Sequence, residues 1–314
     1  MSAAVPSSYA DNDDYAKGDK RLQKLVALTG IHRRHLLDKK QYRLVDIAVR
    51  AASDVIKKSN IEKNKIKIIV YVTQNPEFYG PSTAFYVQKE LAIGIDCIVF
   101  DVNLGCSGFV AGLQIVSSLL DGQQEGDLAL LINAECMSWP ERENPNDVYL
   151  FGDASTAVLV KKTMGRIGKY YTEYYSDGNR YKALFHEKEC SPVIMDGPLV
   201  FEFSIYEVSK YIKEFLKRYG LIDDDIDHIV FHQAQKFIVD HIAVKANLDR
   251  KKLLYSLNEY GNTSSASIPL SICCNKGDLC EHGRFLLSGF GVGLAWGISY
   301  IEIDSKVVFG VLFL

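Results

Sequence analysis

The stretch from Ile98 to Leu120, IVFDVNLGCSGFVAGLQIVSSLL, constrains this chain more than any other. It opens with an apolar, β-branched run, Ile98-Val99-Phe100, which continues through Val102 and reads as a buried strand. From Phe109 onward apolar residues recur at Phe109, Leu113, Val116 and Leu120, a helical period. Between the two lies Gly105-Cys106-Ser107-Gly108. The small neighbours permit a sharp turn that presents the cysteine side chain to a cavity. The unpaired N–H groups and dipole of a helix start favour its thiolate, the nucleophilic form. Cys106 is therefore the first candidate for covalent catalysis. The alternative on this stretch alone is a small buried hydrophobe, one of seven cysteines.

A chain of 314 residues can bury a large core and make two domains. Its 47% hydrophobic and 24% charged content is that of an ordinary globular protein. A net charge of −3 gives no basic field for nucleic acid. An odd cysteine count with no secretory leader fits reduced thiols in a cytoplasm. No segment reaches the roughly 20 apolar residues of a membrane span. The apolar run 307–314 is either a last strand or a tail. Cys273, Cys274, Cys280 and His282 lack paired Cys-x-x-Cys spacing, so no metal site is expected.

Helices are expected at 21–28, 42–59, 82–90, 201–219 and 235–246, and strands at 66–72, 128–134, 155–160, 228–231 and 300–303. Phe151-Gly152-Asp153-Ala154 reads as a tight turn and Gly289-Phe-Gly-Val-Gly293 as a glycine-rich loop. Alternating helices and buried strands point to an α/β architecture with covered sheets. The pattern restarts near residue 165, which divides the chain into 1–165 and 166–314 without an alignable repeat. A basic cluster, His32 to His35 with Lys39, Lys40 and Arg43, is a solvated face or a docking surface for an anionic partner.

Two more polar residues stand at strand ends or tight turns. His232 follows His228-Ile-Val-Phe231, and Asn262 lies in Tyr260-Gly-Asn-Thr-Ser-Ser-Ala266. Cysteine, histidine and asparagine together fit two chemistries. In a papain-like hydrolase the histidine deprotonates the cysteine and the asparagine orients the histidine. In a condensing enzyme the cysteine carries an acyl group, while histidine and asparagine stabilise an enolate.

The motifs Asn103-Leu-Gly-Cys106-Ser-Gly-Phe109, His232-Gln-Ala234, Gly261-Asn-Thr-Ser264 and Gly289-Phe-Gly-Val-Gly293 resemble those of β-ketoacyl-acyl-carrier-protein synthase III, of the thiolase superfamily. Thr29-Gly30-Ile31, Phe151-Gly152-Asp153, Ser176-Asp177-Gly178 and Trp296-Gly297 follow the same order. The resemblance implies a thiolase fold, a five-layer αβαβα sandwich of two pseudo-twofold halves, and a homodimer. It implies Cys106 as acylated nucleophile, His232 and Asn262 as enolate-stabilising donors, and the backbone N–H groups of Cys106 and Val292 as an oxyanion hole. Phe290 would line the acyl pocket. The implied reaction is acyl transfer to Cys106, then decarboxylative condensation with a malonyl thioester. No cofactor is implied; the substrates are acyl-CoA or acyl-carrier protein.

The family's adenine-clamping tryptophan and arginine match Lys24 and Phe237, and a further lysine matches Glu202. The only tryptophans are Trp139 and Trp296. These departures favour a carrier-protein donor over coenzyme A, with Lys236 and Lys245 as candidate docking residues. Gly80 matches a bulky residue that limits acyl length across the dimer interface, so a roomier pocket is expected. Gln74 matches the glutamate base of hydroxymethylglutaryl synthase, which argues against that branch, although Glu77 lies nearby. The first strand reads as shorter than the family's. Alternatives are a non-condensing acyltransferase serving an oxygen or nitrogen nucleophile, and a silent heterodimer subunit.

Overall fold

The computed structural model describes residues 1–138, 149–165, 168–185, 193–304, 307 and 309–314. Trp139 lies outside them.

Five strands build most of a first sheet: β1 (Ser2–Val5), β2 (Ile66–Val72), β3 (Ile98–Val102), β4 (Leu128–Cys136) and β5 (Asp153–Lys161). β2 and β4 are apolar almost throughout because helices cover both faces of the sheet. β2 runs parallel to β3, with Ile68 opposite Ile98, and parallel to β4, with Ile69 opposite Leu130. β5 is antiparallel to β4 and to β1. The second sheet holds β6 (Tyr170–Ser176), β7 (His228–Phe231), β8 (His282–Gly291) and β9 (Ala295–Asp304), in the order β7-β8-β9-β6. The apolar end of the chain is a strand, β10 (Gly310–Phe313), which returns to the first sheet and pairs parallel with β1.

Helix α1 (Leu44–Ser59) lays Leu44, Ile47, Ala48, Ala51 and Val55 on the outer face of the first sheet. Helix α2 (Thr83–Glu90) packs beside β3. Helix α3 (Gly108–Leu120) touches β2 and β4 on one side and β8 and β9 on the other. Helices α4 (Val208–Tyr219) and α5 (Lys236–Ala246) pack together over the outer face of the second sheet. Helix α6 (Ser267–Cys274) lies with α3 between the sheets, against β1 and β7. The layers thus run helix, sheet, helix, sheet, helix, as expected. The middle core joins Val70, Val72, Phe109 and Val116 to Val230, Ile268 and Leu287.

Three expectations need correction. β3 is not a buried strand: it is the edge of the first sheet, with Ile98 48% exposed. Apolar composition alone cannot tell an edge from a centre. Residues 289–291 are not loop but the end of β8. Their glycines serve close approach, since a Cβ on Gly289 would stand 2.9 Å from the Cys106 carbonyl oxygen and one on Gly291 2.8 Å from Cys106 Cβ. The helix expected at 201–219 starts earlier and changes pitch, running Gly197–Glu202, a π-helical turn at Phe203–Glu207, and then α4.

Candidate active site

Cys106 stands in the turn between β3 and α3, which Gly108 N–H closes onto the Gly105 carbonyl at 2.7 Å. The carboxamide of Gln74 lies over Gly105; a Cβ there would sit 2.2 Å from Gln74 Oε1 and would push that side chain aside. The Ser107 and Tyr174 hydroxyls, 2.7 Å apart, tie the turn to the second sheet. His232 is the first residue past β7, and its backbone N–H donates to the Ser288 carbonyl at 2.8 Å. The ring is 1% exposed, with Nδ1 2.9 Å from Ser267 Oγ at the start of α6.

Asn262 is held by its backbone and by its side chain. Its N–H donates to the Leu150 carbonyl at 2.8 Å, and its carbonyl accepts from Gly152 N–H at 3.1 Å. The expected turn at Phe151 is therefore a single parallel bridge from Phe151 to Asn262. Asn262 Oδ1 accepts from Ser264 N–H at 2.9 Å, which leaves the Nδ2 amide as the available donor. Ser264 adopts a φ of 48°, a left-handed conformation costly for a residue with a Cβ. Cys106, His232 and Asn262, from three separate elements, line one cavity of about 110 Å³ together with Phe290, Val292 and Gln74.

Burial pushes the Cys106 thiol up to about 11, and the Glu135 carboxylate adds to the effect. The Ser264 hydroxyl and the backbone N–H of Val292 pull the other way. At rest the sulfur is thus a neutral thiol, contrary to the thiolate expected from the helix start. The sequence reveals the dipole; it does not reveal the depth of the turn or the carboxylate beside it. Burial also lowers His232 to about 4, so its imidazole is neutral at pH 7, with one donor and one acceptor nitrogen.

Glu135 is the residue the sequence reading missed. It lies at the end of β4, fully buried, where Oε2 accepts from Gln74 N–H at 3.2 Å and Oε1 from Ser264 Oγ at 3.3 Å. Burial raises its carboxyl to about 7. The available signal was a carboxylate directly after the apolar run 128–132 and its Asn133-Ala134 end. Glu77, the nearby glutamate noted above, instead accepts from Val45 N–H at 3.1 Å in the first turn of α1.

Gly80 does not line this cavity. It is exposed, and a Cβ there would meet nothing within 4 Å. Beside the cavity runs a groove of about 560 Å³ bordered by Leu37, Tyr42, Phe78 and Tyr79, with Gln74 and Asn75 shared by both. Lys236 Nζ pairs with Asp240 at 2.7 Å, and Lys245 Nζ lies 4.7 Å from the Tyr206 ring centroid. Lys24 is exposed, and Phe237 stacks on Phe201 at 5.9 Å. Among the described residues no three His, Cys, Asp or Glu side chains gather to hold a metal, and no helix is long and apolar enough to cross a membrane.

Residues 100–178 match the family model 3-oxoacyl-[acyl-carrier-protein (ACP)] synthase III, and residues 216–303 match its C-terminal counterpart. The chain is 33% identical to β-ketoacyl-[acyl-carrier-protein] synthase III of Streptococcus pyogenes serotype M6 over 95% of this chain and 96% of that one. The chain belongs to the β-ketoacyl-[acyl-carrier-protein] synthase III family. The Acholeplasma laidlawii synthase III is also 33% identical, over the same shares of the two chains. A 3-oxoacyl-(acyl-carrier protein) synthase from Burkholderia xenovorans LB400 superposes with a TM-score of 0.92 at 28% identity, covering 100% of this chain and 95% of that one. The matched segments of this synthase III family member contain Cys106 in the first and His232, Asn262, Phe290 and Val292 in the second.

Proposed function

We propose that the protein is a decarboxylating condensing enzyme that joins an acyl group to a malonyl thioester. The observation that carries this reading is the shared cavity of Cys106, His232 and Asn262. A papain-like hydrolase would need the asparagine to orient the histidine. Here Ser267 meets His232 Nδ1, and Asn262 Oδ1 is occupied by Ser264 N–H, so the asparagine amide is free to donate to a ligand.

In the first step Cys106 Sγ attacks the acyl thioester carbonyl, and its proton leaves with the released donor thiol. The oxyanion that forms accepts hydrogen bonds from the backbone N–H groups of Cys106 and Val292. In the second step the malonyl carboxylate leaves as carbon dioxide. The electron pair stays on the thioester as an enolate, with His232 and Asn262 Nδ2 donating to its oxygen. The enolate carbon then attacks the acyl-cysteine carbonyl, and the returning sulfur takes up a proton. One such donor is worth about 3 kcal/mol in the transition state.

Lys24 and Phe237 at the clamp positions favour a carrier-protein donor. Exposed Ile95, Ile98, Phe85 and Tyr79 around the β3 edge and α2 support a homodimer, in which Gly80 would face a partner's acyl pocket. A panel of acyl thioesters with malonyl-carrier protein tests the reading, with intact mass at Cys106 and carbon dioxide release as readouts. Acylation, carbon dioxide and a β-ketoacyl product are expected, and C106A abolishes product. Acylation without carbon dioxide identifies a plain acyltransferase, and no acylation by any donor identifies a silent subunit.

A further inference from the structure

Glu135 takes no direct part in the mechanism above, yet its partners lead to a residue that does. Its Oε2 accepts from Gln74 N–H, at the end of β2, and its Oε1 from the Ser264 hydroxyl, in the second half of the chain. The Ser264 N–H in turn fixes Asn262 Oδ1 at 2.9 Å. Ser264 keeps a left-handed backbone that has a cost without outside support. The carboxylate is fully buried and its residue borders neither cavity, so substrate does not touch it.

We propose that Glu135 is a positioning residue: through Ser264 it holds the Asn262 carboxamide with Nδ2 turned toward the enolate oxygen. This rests on the condensing reading above. A glutamine at 135 can keep both hydrogen bonds, since its oxygen still accepts from Gln74 N–H and its amide donates to Ser264 Oγ. An alanine keeps neither. The titratable groups that feel the carboxylate are Cys106 and Tyr71, and loss of its charge makes the Cys106 thiol easier to ionise.

The test uses wild type, E135Q and E135A with two probes. The first is carbon dioxide release from malonyl-carrier protein, which depends on His232 and Asn262. The second is alkylation of Cys106 by iodoacetamide, followed by peptide mass. E135A is expected to lose carbon dioxide release at least tenfold, while E135Q stays within about threefold of wild type. In both variants Cys106 alkylates at least as fast as in wild type. Release retained in E135A, or lost equally in E135Q, overturns the proposal. Slower alkylation in E135A together with lost release shows general collapse of the cavity and also overturns it. Wild type that releases no carbon dioxide refutes the condensing reading itself, and this inference with it.

Discussion

At the scale of single residues, Gln74 stands where the Cys106 cavity meets the neighbouring groove. Its side-chain oxygen is buried without a hydrogen-bond partner, and its carboxamide rests on Gly105 beside Cys106. A buried acceptor left unpaired costs on the order of 1–3 kcal/mol. Such a cost sets this residue apart from a simple core filler. Truncation in Gln74→Ala removes the unpaired atom and one of the two side chains, with that of Asn75, that border both spaces. We expect kcat/KM for a long acyl thioester, relative to acetyl, to rise at least about tenfold, since a few added methylenes each contribute about 1 kcal/mol in an apolar pocket. The thermal midpoint should hold steady or rise. Competition between acetyl- and octanoyl-carrier protein measures the first, and calorimetry the second. Unchanged chain-length preference would mean that the acyl group does not travel past Gln74.

At the scale of elements, the site depends on one narrow crossing. The loop carrying Asn262 meets the start of β5 through the Phe151–Asn262 bridge, and Gly152 lets the two backbones touch. A Cβ on Gly152 would stand 2.1 Å from the Tyr260 carbonyl oxygen, a backbone atom with no freedom to rotate away. Gly152→Ala should therefore cost about 2 kcal/mol or more. It should also cut carbon dioxide release from malonyl-carrier protein more than tenfold. Cys106, on a different turn, should still alkylate at the wild-type rate. Equal loss of both would show that the crossing supports the whole cavity. The same elements show what a sequence can carry. β2, α1 and α5 were legible because buried faces impose a period on many residues at once. The turn that carries Cys106 was legible because a turn between a strand and a helix needs small neighbours. Glu135 was not, because β4 read as a strand ending at residue 134, one residue short of the carboxylate. The glycines at 289 and 291 misled for a physical reason. Glycine serves both turns and close approach, and the sequence does not separate the two.

At the scale of the whole molecule, two buried titratable groups at one site set opposing demands on stability. Burial raises Glu135 from the ordinary 4.5 to about 7 and lowers His232 from 6.5 to about 4. Between pH 4.5 and 6.5 the unfolded chain has released the Glu135 proton but holds one on His232, while the folded chain does the reverse. The proton counts match, so the pair contributes almost no slope there. Stability from the protonated Glu135 alone is present below 4.5 and lost as pH rises through about 7. Stability from the neutral His232 is lost as pH falls through about 4. In E135Q the first effect vanishes and the second stays. The variant should therefore gain on wild type as pH rises from 4.5 to 8, by roughly 3 kcal/mol in all, at about 1.4 kcal/mol per pKa unit. Urea midpoints for both proteins at pH 4.5 and 8 measure this difference. Surface carboxylates and the buried Asp153, also raised by burial, are common to both chains and cancel. A difference that does not change with pH would mean that Glu135 ionises in the folded protein as easily as in water. A site at the junction of two sheets would then be far wetter than its packing implies.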